Sequence, residues 1–117
     1  MSETPLYDLS VLQQQTGNDA SFMAEMISLF VSQMQEGLKT LTDAQAQQDY
    51  SQMYFILHRM KAGIHLFKIN SLMEIIKEAE ALTKKTEPSE RLTQNIEVIR
   101  TEMQIVIGQL TKKYLQE

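Results

Sequence analysis

The sequence predicts an all-α protein, namely an antiparallel up-down-up-down four-helix bundle with a short N-terminal helix. Four long segments each carry one apolar stripe with steps of three and four residues, as one face of a helix requires. Proline and glycine are sparse, with two and four residues in 117, and good helix formers are plentiful. No window alternates apolar and polar residues for long enough to predict a strand.

The first two helices are expected to begin beside short polar residues. Asp8 precedes a short helix that Gly17 ends. Asn18 or Asp19 can cap the long second helix, because a short polar side chain accepts a hydrogen bond from a free N–H of the first turn. Its apolar stripe consists of Met23, Met26, Ile27, Phe30, Met34, Leu38 and Leu41. The segment TDAQAQQD then interrupts the periodicity and predicts the end of this helix.

Two capping patterns start the third and fourth helices. Asp49 and Gln52 form a loose version of the reciprocal cap, and Ser71 and Glu74 form the regular version. The stripe of the third helix consists of Met53, Ile56, Leu57, Met60, Ile64 and Phe67. The stripe of the fourth consists of Leu72, Ile75, Ile76, Ala79 and Leu82.

The segment TKKTEPSE ends the fourth helix and begins the last one. Pro88 is tolerated only in a first turn, where its missing N–H has no helical partner anyway. Lys112 and Lys113 suit the negative end of the helix dipole. The apolar stripe of this last helix consists of Leu92, Ile96, Ile99, Met103, Val106 and Leu110. Short connections between long helices favour a bundle, and the length favours one domain over residues 1–117.

Composition and charge exclude several classes of function. The net charge is −4, and no run of Lys or Arg supplies the basic stripe that nucleic acid needs. There is no cysteine, which excludes disulfide and thiolate chemistry and fits a reducing compartment. The longest apolar run, Met53 to Leu57, is too short for a membrane span, and residues 1–10 lack the pattern of a secretory signal. We therefore expect a cytoplasmic protein that binds neither nucleic acid nor membranes.

Both histidines of the chain, His58 and His65, lie in the segment LHRMKAGIHLFK. On an amphipathic helix such residues are most simply solvated or hydrogen-bonded side chains. A shared metal is disfavoured, because seven residues of helix separate their backbones by about 10 Å, whereas helical zinc ligands usually lie four residues apart. The sequence has neither a hydrolytic motif nor a glycine-rich phosphate loop, so we expect no ATPase or autokinase activity.

His58 meets the requirements of a phosphoryl acceptor. A neutral imidazole is a good nucleophile near pH 7, and a fixed cation stabilises the negative phosphoryl group in transit. At about 100° per residue, His58 points away from the apolar stripe, and Lys61 lies one turn along. Ala62 and Gly63 leave low relief beside the ring, so that the active site of a partner protein has room to approach.

The surroundings of His58 predict a docking surface. Tyr54 and Phe55 are aromatic residues on the solvent side of the helix, which suggests a contact patch; packing beneath the short N-terminal helix is the alternative. His65 fits an acceptor less well, since the branched Ile69 crowds it near the end of the helix. The predicted docking surface consists of Tyr54, Phe55, Ala62 and Gly63.

The sequence resembles the histidine-containing phosphotransfer (HPt) domains of bacterial multistep phosphorelays. Their signature, His-x-x-Lys-Gly on the second long helix, corresponds here to His58-Arg59-Met60-Lys61-Ala62. The resemblance extends over most of the chain. The segments that carry it are NDASFMAEMISLFVSQMQEGLKTL, QQDYSQMYFILHRMKAGI and NSLMEIIKEAEAL.

Two positions depart from the family pattern. The glycine that usually follows the lysine is Ala62 here, with glycine displaced to Gly63, and a second glycine is replaced by Lys68. The first change adds one methyl group close to the ring that the family phosphorylates, so we expect a partner domain to approach it more tightly.

The resemblance implies a function and its partners. A receiver domain would give its phosphoryl group to His58, which relays it to another receiver, and Lys61 would stabilise the group. The implied partners are response-regulator receiver domains and a hybrid sensor histidine kinase. No intrinsic cofactor is implied, and Mg²⁺ is expected on the partner receiver. Polar outer faces favour a monomer. The alternative is a helical adaptor that binds receivers or other partners without phosphotransfer.

Overall fold

The computed structural model describes residues 4–115, and every regular element in that range is helical. The elements are α1 (Ser10–Thr16), α2 (Ala20–Ala46), α3 (Tyr50–Leu66), α4 (Asn70–Thr83) and α5 (Glu90–Leu110), followed by a π-helical turn, Thr111–Leu115. The predicted all-α class is confirmed for this part of the chain. No helix within it is long and apolar enough to cross a membrane.

The four long helices form a bundle around one core. α2 packs against α3, α3 against α4 and α4 against α5, and α5 packs back against α2, while α1 covers part of α2. The predicted stripes of α3 and α5 are buried at every position. In α2 and α4 the stripe is buried or half-buried throughout. Burial of these stripes stabilises the bundle, since apolar area leaves water along each helix.

Three predicted helix boundaries agree with the structure. The carboxylates of Asp19 and Asp49 each accept a hydrogen bond from the backbone N–H three residues on, at 2.9 and 3.1 Å. Gly17 follows α1 with a left-handed backbone at φ +65°, a conformation that glycine adopts without steric cost. Asp8 accepts a hydrogen bond from the N–H of Ser10 at 2.8 Å, although the capping position itself is Leu9.

The predicted start of α4 is wrong by two residues, and so is its predicted cap. α4 begins at Asn70, its capping position Ile69 makes no side-chain cap, and Ser71 lies inside the first turn. The hydroxyl of Ser71 instead donates to the carboxylate of Glu102 on α5. A contact between helices has replaced the local one that the pattern predicts.

Two further boundaries differ from the prediction. α2 continues through the segment expected to end it and stops at Ala46, because Ala44 still faces the core and is buried. α5 begins after Ser89, whose hydroxyl accepts a hydrogen bond from the N–H of Leu92 at 3.1 Å. Pro88 therefore lies before the capping residue and not in the first turn.

Hydrogen bonds join the N-terminal segment to the C-terminal ends of α3 and α5. The N–H of Asp8 donates to the carbonyl of Phe67 at 2.9 Å, close to the end of α3. The N–H of Leu6 donates to the side-chain oxygen of Gln109 at 3.1 Å, and the Gln109 amide donates to the carbonyl of Thr4 at 3.2 Å. The two bonds with Gln109 join residues more than 100 positions apart in the sequence.

Candidate functional site

The middle of α3 presents His58 to solvent. Its neighbours Leu57 and Met60 are buried in the core, at 0% and 3% exposure, and they fix which face of α3 turns inward. Because residues two positions apart point to opposite sides of a helix, His58 is directed outward. Its side chain is 57% exposed, which leaves the imidazole accessible to a partner protein.

A carboxylate from α4 contacts the imidazole. Oε2 of Glu80 lies 3.4 Å from Nδ1 of His58, although the two residues are 22 positions apart. Glu80 follows the fully buried Ala79 on the inner side of α4, and its own side chain is only 12% exposed. Since a carboxylate accepts hydrogen bonds, Nδ1 donates to it, and the lone pair of the neutral ring is then on Nε2.

Lys61 completes a three-residue cluster with His58 and Glu80. Its Nζ lies 3.3 Å from Oε1 and 3.2 Å from Oε2 of Glu80. The side chain is 31% exposed, so the ammonium is partly shielded from water. Glu80 thus bridges the imidazole and the ammonium and holds both on the same side of α3.

An aromatic ring lies against the imidazole as well. The rings of Tyr54 and His58 are stacked, with centroids 5.7 Å apart and planes inclined at 17°. Nζ of Lys84 lies 5.3 Å from the centroid of the Tyr54 ring, within the range of a cation–π contact. The imidazole is therefore held by a carboxylate at Nδ1 and by the stacked Tyr54 ring.

A comparison with models of known protein families matches residues 25–109 to the Hpt domain. The matched range covers most of the chain and contains the whole cluster around His58. The chain belongs to the Hpt domain family. The searches found no curated protein and no solved structure that match this chain. Membership of the family indicates a role in phosphorelay signalling by histidine phosphotransfer.

Ala62 and Gly63 of this Hpt domain occupy different surroundings. Ala62 is exposed one turn after His58, as predicted. At Gly63 the position that a side chain would occupy faces α2. A Cβ atom there would lie 2.5 Å from Cε of Met34 and 3.1 Å from the ring of Phe30. The expectation that Gly63 lies on the surface beside His58 is therefore wrong, because the missing side chain serves the close packing of α3 against α2.

Phe55 and Tyr54 also differ from each other. Phe55 is 54% exposed, and the guanidinium of Arg59 lies 5.6 Å from its ring centroid. It lines a shallow groove between α2 and α3, together with Gln33, Gly37 and Arg59 among others. Tyr54 is half-buried between His58 and Lys84. Neither environment corresponds to packing beneath the short N-terminal helix, the alternative for these two residues.

His65 lies apart from the described cluster. It is exposed in the last turn of α3, next to the residues that end the helix. Residues 4–115 contain no group of three or more histidine, cysteine or carboxylate side chains arranged to hold a metal ion.

Proposed function

We propose that this Hpt domain is a phosphorelay intermediate of two-component signal transduction in the cytoplasm. His58 accepts a phosphoryl group from the aspartyl phosphate of one receiver domain and passes it to another. The observation that carries the proposal is the Glu80 bridge, which joins an exposed imidazole to a partly shielded ammonium. A solvated surface histidine has no need of such an arrangement.

The cluster supports nucleophilic attack by Nε2. As the N–P bond forms, the bond between phosphorus and the aspartyl oxygen breaks, and the carboxylate of the receiver leaves. The imidazole gains positive charge, and the Glu80 carboxylate stabilises it through the Nδ1–H hydrogen bond. Transfer to the next receiver reverses these steps. The phosphoryl group comes from a protein, so no nucleotide is required.

Lys61 stabilises the phosphoryl group. Its ammonium lies one helical turn from His58 and is held by Glu80 in the absence of phosphate. A phosphoryl group on Nε2 carries two negative charges at most, and the flexible lysine stem allows the ammonium to turn towards it. Glu80 therefore keeps the cation close to the reacting atom before a receiver docks.

The docking surface is formed by Tyr54, Phe55 and Ala62, around the exposed side of His58. We propose response-regulator receiver domains as partners, including that of a hybrid sensor histidine kinase. Mg²⁺ belongs to the receiver in this proposal, and the Hpt domain acts as a monomer without a cofactor of its own. Low relief at Ala62 and an exposed aromatic residue at Phe55 support docking on this face.

We further propose that residues 1–117 form one domain with up-down-up-down topology. The connections between the long helices are short, which favours antiparallel neighbours. The contacts of α3 with α4 support this for one pair. Glu80 lies beside His58, whereas Lys84, four residues later, lies beside Tyr54, four residues earlier.

The proposal is tested by phosphoryl transfer from a purified, phosphorylated receiver domain. When mixed with this receiver, the wild-type chain is expected to take up the labelled phosphoryl group and to pass it to a second receiver. His58→Gln should fold normally and take no label, because it lacks the nucleophile. His65→Gln is the matched control and should be labelled like wild type.

The same experiment separates the proposal from its alternative. An adaptor that binds receivers without phosphotransfer would remain unlabelled while forming a complex. Labelling that persists in His58→Gln would contradict the assignment of the acceptor.

A further inference from the structure

A second lysine, outside the sequence signature of the site, contacts the aromatic ring that is stacked against His58. Lys84 is the residue that follows α4, one turn after Glu80, and its side chain is exposed. Its ammonium contacts the ring of Tyr54, and that ring is stacked against the imidazole. A single aromatic ring thus links this cation to the predicted acceptor.

The ammonium of Lys84 is held by the ring and not by a carboxylate. Within residues 4–115, the ion pairs are Lys61–Glu80, Arg91–Glu78 and Arg100–Glu97, and Glu80 also accepts the hydrogen bond of the neutral His58 ring. A cation–π contact at an exposed position contributes only about 0.5–1 kcal/mol. The lysine stem is flexible, so the ammonium can leave the ring for a stronger partner.

The charges of the cluster identify that partner. Glu80 and Lys61 together carry no net charge, because each offsets the other. A phosphoryl group on His58 adds roughly 1.5 to 2 negative charges at this place. Lys61 remains shared with Glu80, so one ammonium does not balance the added charge. Lys84 supplies a cation that no carboxylate in the described residues engages.

We propose that Lys84 is a second phosphoryl-binding residue of this site, and that its ammonium rests on the Tyr54 ring until His58 is phosphorylated. This inference rests on the proposed function of His58. When the phosphoryl group arrives on Nε2, the ammonium of Lys84 moves from the Tyr54 ring to a phosphoryl oxygen. The contact favours the phosphorylated Hpt domain over the phosphorylated receiver, so it shifts the equilibrium of the reversible transfer towards His58.

The test measures the equilibrium distribution of phosphoryl label between a receiver domain and the full-length Hpt domain. Lys84→Ala should shift the distribution towards the receiver by about three- to tenfold, and Lys84→Arg should restore most of the wild-type value. Lys85→Ala is the matched control. It removes the same charge from the neighbouring exposed residue and should change the distribution less than twofold.

Salt dependence separates charge from structure. The difference between Lys84→Ala and wild type should shrink in 0.5 M salt, because ions screen exposed charges. A structural role would leave that difference unchanged by salt. Equal values for Lys84→Ala and Lys85→Ala, with labelling still dependent on His58, would overturn this inference alone. A wild-type chain that takes no label would overturn the proposed function together with it.

Discussion

The imidazole of His58 is held by contacts of two kinds, and together they favour one ring nitrogen for the proposed transfer. Glu80 accepts the hydrogen bond at Nδ1, and stacking against Tyr54 restricts rotation of the ring. In the proposed transfer, Nε2 is then the nitrogen left to attack. Because a phosphoryl donor must approach this atom almost to contact, small changes beside the ring act directly on the transition state.

Ala62 provides a test of that approach at the scale of one side chain. Its methyl group is exposed one turn from His58, at the position where the family usually has glycine. In Ala62→Leu and Ala62→Glu the rate of phosphoryl transfer should fall by about tenfold or more, because the larger side chains obstruct the receiver. Ala62→Gly should be as fast as wild type or faster. The measurement is the rate of labelling by a phosphorylated receiver.

Melting temperatures provide the control for these variants. The Leu and Glu variants should melt like wild type, since residue 62 contacts solvent and not the core. Transfer rates that do not depend on the size of residue 62 would show that the receiver docks on another face of the bundle.

The sequence predicts that His58 and Lys61 act together because their relation is local. Three residues of helix separate them, and helical geometry alone places both on one side. Glu80 was missed, because its contact with them depends on how α4 packs against α3. One signal was available: Glu80 lies four residues after Ile76 and three before Thr83, both of which are buried. A carboxylate at a core-facing position requires a partner, and here the partners are the two predicted residues.

At the scale of helices, the close packing of α3 against α2 depends on Gly63. Gly63→Ala should lower the free energy of unfolding by about 1–2 kcal/mol, although alanine is the better helix former. The added methyl group would meet Met34, whose end is flexible, and the ring of Phe30, which is stacked on Phe67 at 3.9 Å and cannot easily yield. Urea denaturation measures the difference.

Gly108 provides the matched control on α5. A Cβ atom there would have no neighbouring atom within 4 Å, and the residue is exposed. Gly108→Ala should therefore raise the free energy of unfolding by about 0.5–1 kcal/mol through helix propensity alone. If both variants were stabilised equally, the close contact between α2 and α3 at Gly63 would be ruled out.

Helix starts that depend on neighbouring residues were predictable, and those that depend on other helices were not. Asp19 and Asp49 cap their helices through backbone groups three residues away, so the pattern suffices. Ser71 fits the same pattern, yet its hydroxyl contacts Glu102 on α5. Similarly, α2 extends past its predicted end because Ala44 is buried by the rest of the bundle.

At the scale of the whole molecule, the site exists only when the bundle is assembled. The proposed acceptor His58 and Lys61 come from α3, the bridging Glu80 comes from α4, and Lys84 directly follows α4. The chain as a whole carries a net charge of −4, yet Lys61, Lys84 and Arg59 all lie close to His58 or its aromatic neighbours. Even with Lys61 offset by Glu80, Lys84 and Arg59 should favour the approach of the negatively charged partner surface that the proposed function requires.

The most direct test of the account is a long-range proton–nitrogen NMR spectrum of the ¹⁵N-histidine-labelled protein, recorded before and after transfer from a phosphorylated receiver. Before transfer, His58 should be in the tautomer with its proton on Nδ1, and Glu80→Ala should lose that preference. After transfer, the phosphoryl group should be on Nε2 of His58, with His65 unchanged. A phosphoryl group on His65, or on Nδ1 of His58, would contradict the account.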